Sequence, residues 1–349
     1  VVKENGHIES DPDALLREVF AGIKEAMQRA SARSGDIAAI SLSTQRATVL
    51  AVDRSGVPIG NAISWQDMRG AGEIERLHDS IDDERYYAIT GLPNNPVFTL
   101  GKLLWIKNQA PELYKQAARF VLIHDYVLKN LGCDDFYCDW SNASLTGLFD
   151  ISRCSWSKEI LDTAGLSAEK LSILRPSGTH VGTLSESAAG QCGLSTGTPL
   201  ITGGGDQQCA GLGAGATRPG ILEFTLGTAG VSLCFSNRVI RDPQRRVTCC
   251  VHAMPDAWEV EGLQNSAGAS LKWLAQIMAI DATTRDQWHR SAETSPPGSR
   301  GLLFYPYLTG SSSPHWNPQA KAMFLGLKQS HRPADMVRAV MEGVTMETR

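Results

Sequence analysis

The sequence predicts an α/β chain of two domains, and three observations carry that reading. Apolar strand-like runs alternate with helix-period stripes along the chain. Its 349 residues, at ~150 per domain, leave room for two cores. Ten glycines crowd into residues 197–230, where backbone must pass close to other backbone or to a ligand.

The elements follow in order. Ser10-Asp11-Pro12 predicts a helix capped by Asp11 with Pro12 in its first turn, and Leu15, Leu16, Val19, Phe20, Ile23 and Met27 form its apolar stripe. Residues 37–43 and 47–53 read as strands, and Arg54-Ser55-Gly56 as a turn into a third strand over residues 57–64. Residues 101–120 read as helix interrupted at Pro111, and residues 125–131 as a short helix. Residues 132–180 have no clear period. Further strands are expected at residues 199–202, 221–226, 231–235 and 258–261. A helix over residues 268–280 would set Leu271, Leu274 and Met278 on one face, and a last one would run from residue 333 to the end. The domains are placed at residues 1–216 and 217–349. The chain opens on Val1 rather than Met and stops inside a helical pattern with no C-cap glycine, so it is expected to be cut at both ends.

Composition narrows the function. With 33 Lys+Arg against 37 Asp+Glu, a net charge of −4 and no basic run, the chain is not expected to bind nucleic acid. No apolar run reaches the roughly 18–20 residues of a membrane span, and the start is too polar for a signal peptide. The eight cysteines include no CxxC pair and no zinc spacing with histidine, so they read as reduced thiols of a cytoplasmic protein with no metal held by its own ligands.

P-loop, GxGxxG, HExxH and GxSxG patterns do not occur. What remains is Asp206, in Leu200-Ile201-Thr202-Gly203-Gly204-Gly205-Asp206-Gln207-Gln208. A short strand running into three glycines places its carboxylate where α/β proteins bind ligands. It could take the proton of a hydroxyl attacking a phosphoryl group, or simply cap the helix that follows. Gly227-Thr228-Ala229-Gly230 joins two strands in a turn whose amides could hold phosphate oxygens, and Gly268-Ala269-Ser270 opens a helix. Each of these has a plain structural alternative, a hairpin and a close-packed helix start. Gln45-Arg46 and Trp65-Gln66-Asp67-x-Arg69 could hydrogen-bond a polyol beneath a Trp ring, or form an ordinary ion pair beside a core Trp.

In sequence order these segments resemble one family. Phe324-Leu325-Gly326-Leu327, seven residues, then Asp335-Met336-x-x-Ala339-Val340-Met341-Glu342 is similar to one signature of the FGGY carbohydrate kinases. Thr99-x-x-Lys102-Leu103-x-Trp105-Ile106-x-Asn108-Gln109 is similar to the other, with Val97 departing at its first position. The resemblance, nearest to xylulokinase-like members, covers essentially the whole chain. It implies two domains of the actin/hexokinase/heat-shock-ATPase type (ribonuclease H-like), both incomplete, with a sugar and ATP-Mg2+ in the cleft between them. Neither the family's opening Asp-x-Gly-Thr hairpin nor its Gly-Gly-rich adenosine-binding end has a counterpart here.

By the same resemblance Asp206 would be the general base, and Gln45, Arg46, Trp65, Asp67 and Gln207 would contact the substrate. Gly227 and Thr228 would hold the terminal phosphates, with Gly268 and Leu271 lining the nucleotide site. The implied activity is ATP-dependent phosphorylation of a sugar or polyol hydroxyl, with a ketopentose such as xylulose first. Glycerol kinases carry Glu where Ala47 stands and Tyr where Val97 stands, which sets glycerol second. Residues 138–150 and 192–215 are similar to autoinducer-2 kinase, which makes an autoinducer-2-type acceptor the other alternative. A non-catalytic sugar-binding pseudokinase is the alternative of another class, and the 349-residue chain itself is expected to turn over poorly. The expected partners are the small-molecule acceptor and ATP, with a homodimer left open.

Overall fold

The computed structural model describes residues 7–281 and 283–348; the polar opening stretch before His7, with its Val1 start, and Arg349 lie outside them. The chain divides into two units. The first comprises Val1–Pro219, Phe235–Arg241 and Cys249–Glu259, and the second Gly220–Cys234, Asp242–Thr248 and Val260–Arg349.

The first unit opens as its sequence directs. The helix Pro12–Ala30 is capped by Asp11, whose side chain accepts from the Asp13 and Ala14 amides. Its stripe of Leu15, Leu16, Val19, Ile23 and Met27 packs around buried Phe20 against one apolar core. A four-stranded sheet runs in the order Glu9–Ser10, Ala62–Ile63, Val49–Val52, Arg119–Leu122, with every pairing antiparallel. Beside it in sequence, Ile40–Thr44 and Pro199–Gly205 pair in parallel, and His180–Thr183 adds antiparallel to the latter. The strand Pro199–Gly205 ends directly on the helix Asp206–Gly213.

Two expectations change. The third strand shrinks to Ala62–Ile63, because Asp53 closes a turn on the Ser55 and Val57 amides and Gly60 sits at φ +91°. The helix expected over residues 101–120 runs Thr99–Gln109, restarts at Pro111–Gln116 and gives way to the strand Arg119–Leu122. There Phe120 and Val121 face the buried Val49–Val52 strand, and sheet packing outweighs helical continuation. Residues 132–180 lack a period because their elements are only two to seven residues long.

In the second unit Leu222–Leu226 and Gly230–Ser236 form the expected hairpin, with Leu226 opposite Gly230. The helices Gly268–Ile277 and Pro333–Glu347 contribute Leu274, Val337, Val340 and Val344 to a separate core that includes Phe304 and Trp288. Gly343 lets the last helix lie on the strand Leu303–Tyr305, since a Cβ there would come 2.2 Å from the Phe304 carbonyl.

Candidate functional site

Asp206 stands at the carboxyl end of the Pro199–Gly205 strand with its side chain 48% exposed. Its Oδ1 accepts from the Gln207 amide at 3.0 Å, and the Arg46 guanidinium lies 3.9 Å away. That separation is too long for a direct hydrogen bond, so the carboxylate keeps lone pairs for an incoming hydroxyl. Arg46 is buried, and the residue after it, Ala47, is buried at φ +59°. A non-glycine residue held in the left-handed region marks a turn fixed by its surroundings, here the one that presents Arg46.

The glycines have local reasons. A Cβ on Gly205 would lie 2.5 Å from Arg46 Cδ, and one on Gly204 would lie 3.2 Å from Ser141 Oγ. Gln208 is fully buried and donates to Glu259, while Gln207 keeps a buried Oε1 with no hydrogen-bond partner among the described residues. A polar atom left in that state is suited to a ligand hydroxyl.

Beneath this strand lies a polar cluster that the sequence did not single out. Asp139 Oδ1 accepts from the Ser141 and Asn142 amides and, at 2.5 Å, from Ser141 Oγ; its Oδ2 accepts from Asn142 Nδ2 at 2.6 Å. His124 lies between Asp125 and Asp139, and Gly203 donates to its Nε2 at 3.2 Å. Burial pushes the ring toward neutrality, but the Asp139 and Asp125 carboxylates outweigh it and raise the pKa. The visible signal was Asp139 two residues before Ser141, a capping pattern inside a stretch with no period.

Other expected residues sit differently. Trp65 is half-buried, and its amide donates to Thr48 Oγ1 at 3.1 Å. Gln45 is exposed. Asp67 is fully buried, and its oxygens take the Arg69 guanidinium at 2.7 Å and the Ile8 amide at 2.6 Å. Burial alone would raise its pKa, and the Arg69 bonds more than reverse that. Asp67 is thus committed to holding its own segment, with Arg69 reaching on to Glu9 at 2.8 Å, rather than pointing to solvent.

In the second unit Gly227 and Thr228 form an exposed turn. The Ala267 and Ala269 amides donate to the Thr228 carbonyl at 3.0 and 3.1 Å, and the Gly268 amide donates to Gly227 at 2.8 Å. A Cβ on Gly268 would come 2.6 Å from the Gly227 carbonyl oxygen, so that glycine permits the turn and the helix start to lie together. Leu271 packs partly against the unit's core. The helix's first amides are thus spent on the turn's carbonyls, and what the exposed turn offers phosphate oxygens is its own Gly-Thr backbone and the Thr228 hydroxyl. No group of three or more His, Cys, Asp or Glu side chains that could hold a metal occurs among the described residues.

Comparison with known proteins bears on this arrangement. Residues 1–213 match the model described as "FGGY family of carbohydrate kinases, N-terminal domain", and residues 223–349 match its C-terminal domain. A gluconokinase of Bacillus subtilis is 32% identical over 318 residues, covering 88% of this chain and 61% of that protein. A xylulose kinase of Staphylococcus epidermidis is 31% identical over 343 residues, covering 97% of this chain and 67% of that protein. The ligand-bound xylulose kinase of Lactobacillus acidophilus superposes with a TM-score of 0.90 at 26% identity, over 100% of this chain and 70% of that one. The chain thus spans about two thirds of the length of the relatives it matches. The fold is the two-domain, actin/hexokinase-like one of these kinases. No helix among the described residues is long and apolar enough to cross a membrane.

Proposed function

The chain belongs to the FGGY family of carbohydrate kinases, and from that premise we propose that it phosphorylates a sugar or polyol hydroxyl at the expense of ATP. Asp206 is the general base of this reading. Its half-exposed carboxylate at a strand end, with the buried Arg46 cation 3.9 Å away, is the observation that carries it. The carboxylate takes the proton of the acceptor hydroxyl as that oxygen attacks the terminal phosphorus, and the bond to the ADP oxygen breaks. Arg46, Gln207 and Trp65 contact the acceptor, the first two through hydrogen bonds and the indole through the carbon face. Asp67 acts one step removed, by fixing Arg69 and the Trp65 segment.

The donor half is assigned to the second unit. Gly227 and Thr228 hold the terminal phosphates, and Gly268 and Leu271 border the nucleotide. Mg2+ on the phosphates, when bound, supplies neutralising charge during transfer. A cytoplasmic location goes with this reading, since ATP is the donor it needs.

A ketopentose such as xylulose is the acceptor we put first. The gluconokinase likeness adds a second reading, a sugar acid, whose carboxylate would pair with the buried Arg46 guanidinium. Both are tested by ADP release against ketopentoses, gluconate, pentitols and glycerol, together with Asp206→Asn. Phosphorylation falling about 10²–10⁴-fold in that variant is expected for a lost general base. Turnover near the parent rate would remove Asp206 from the mechanism, and a panel with no ADP release would remove the kinase reading.

A further inference from the structure

Three consecutive glycines precede Asp206, and glycine is the residue that costs most to hold in one conformation. The segment has no side chain of its own to lock it, yet it carries the carboxylate whose placement decides the reaction. Its fixed geometry comes from elsewhere in the same unit. The Gly205 amide, one residue before Asp206, donates to Ser141 Oγ at 2.9 Å. The Ser141 hydroxyl gives its proton to Asp139 Oδ1 at 2.5 Å, so its lone pairs are free to face Gly205. Two residues upstream the Gly203 amide is taken by His124 Nε2, whose ring lies 3.5 Å from Asp139 Oδ2. Asp139, Ser141 and His124 are all fully buried or nearly so.

Asp139 therefore stands directly behind the Gly205 tether, through the Ser141 hydroxyl. The Gly203 tether is separate, because a His124 Nε2 that accepts from Gly203 carries no proton to give Asp139. A charged acceptor pulling on the Ser141 proton makes its oxygen a stronger acceptor for Gly205. Capping explains only part of this arrangement. The Ser141 and Asn142 amides already satisfy the cap of the Trp140–Ser144 helix, and the Ser141 hydroxyl contact is additional to it. We infer that Asp139 and Ser141 are positioning residues for Asp206, acting through the Gly205 amide to aim the carboxylate at the acceptor hydroxyl. This rests on the reading of Asp206 as base.

The test uses Ser141→Ala, Ser141→Thr and Asp139→Asn in the parent chain. Asparagine keeps an N-cap acceptor, so Asp139→Asn removes the charge while retaining the helix start. For Ser141→Ala, kcat is expected to fall about 10–100-fold while KM for acceptor and for ATP stays within about threefold, as for a misaligned base rather than a lost binding contact. Exchange of the Gly205 amide should quicken about tenfold relative to its neighbours in Pro199–Gly213. Asp139→Asn should shift both readouts the same way. Ser141→Thr, which keeps the hydroxyl, should restore them, and where its extra methyl prevents folding the other two variants decide. An unchanged kcat in Ser141→Ala, a loss appearing wholly in KM, or protection lost evenly along the strand would overturn the inference. If the parent itself phosphorylates nothing in the panel, the kinase reading has failed. The exchange result then decides the tether alone: selective loss at Gly205 upholds it, and uniform or absent loss rejects it.

Discussion

Gly203 is pressed against the main chain of Leu42: a Cβ on Gly203 would lie 1.7 Å from the Leu42 carbonyl oxygen. The parallel pairing of Ile40–Thr44 with Pro199–Gly205 changes register between Ile201 and Gly204, and the close approach sits at that slip. Backbone cannot yield as a side-chain tip can, so Gly203→Ala is expected to cost about 2–4 kcal/mol of stability. Gly190, in the helix Glu186–Cys192 with nothing within 4 Å of its added Cβ, is the control. Gly190→Ala should gain about 0.5–1 kcal/mol. Urea midpoints of the two variants check the contrast; equal midpoints would mean that Gly203 and Leu42 do not meet as described.

Arg46 supplies the second prediction. Its guanidinium is buried beside Asp206 and next to Cys250 Sγ, at 3.9 Å in each case. Arg46→Met keeps much of the apolar volume and removes the donors. A hydrogen bond from a charged group contributes about 1.5–3 kcal/mol, so acceptor KM should rise about 10–100-fold with ATP KM nearly unchanged. The penalty should be larger for gluconate than for xylulose if the carboxylate meets this cation. Equal penalties across neutral and anionic acceptors would set the sugar-acid reading aside.

Much of this was legible in the sequence, and the gaps have physical causes. Asp11-Pro12, the Gly-Thr turn and the Gly203–Asp206 run each encode local geometry through residue types with narrow backbone preferences, so they survived transfer to three dimensions. Phe120 did not, because the choice between helix and strand over the four residues Arg119–Leu122 was settled by the buried Val49–Val52 strand, which lies about seventy positions away. Asp67 looked like a ligand group because its spacing to Arg69 says nothing of burial. Its partner amide, Ile8, is 59 positions upstream. Asp139 and Ser141 showed only as a capping pattern, and their meeting with His124 and the glycine strand was not legible for the same reason: a buried polar cluster is assembled from separate elements and leaves no period.

The Gly-Thr turn gives a third prediction. Gly268 donates to the Gly227 carbonyl and has no room for a Cβ on that side. Gly268→Ala should push the helix start away from the turn and disturb the Thr228 carbonyl that the Ala267 and Ala269 amides hold. If the turn binds phosphates, KM for ATP should rise about tenfold, a loss of one charge-assisted contact, while acceptor KM moves little. Isothermal titration with ATP and with the acceptor separately checks this. Weakened acceptor binding with intact ATP binding would contradict the assignment.

The last prediction concerns Lys102, which is fully buried on the helix Thr99–Gln109 and donates to the Val97 and Phe98 carbonyls at 2.7 and 3.3 Å. Burial pushes its pKa down from 10.5 to about 7, with Asp67 pulling it up and Arg69 pressing it down. Between these two values the unfolded chain holds a proton that the native chain has released. Stability contributed by this group therefore rises with pH through that window, and below pH ~7 the full penalty of a buried ammonium is present. Groups with raised pKa work against it at the alkaline end, Cys133 at about 11 and Tyr126 and Tyr307 at about 12. The comparison is best made as a difference, parent minus Lys102→Met, by urea denaturation between about pH 6.5 and 9. Methionine keeps the stem and removes both the titration and the two donors, so the loss of hydrogen bonds offsets the curves without tilting them. The parent should gain stability on the variant steadily as pH rises. A flat difference would mean that Lys102 titrates alike in the folded and unfolded chain, and hence that its ammonium is not held where burial opposes its charge.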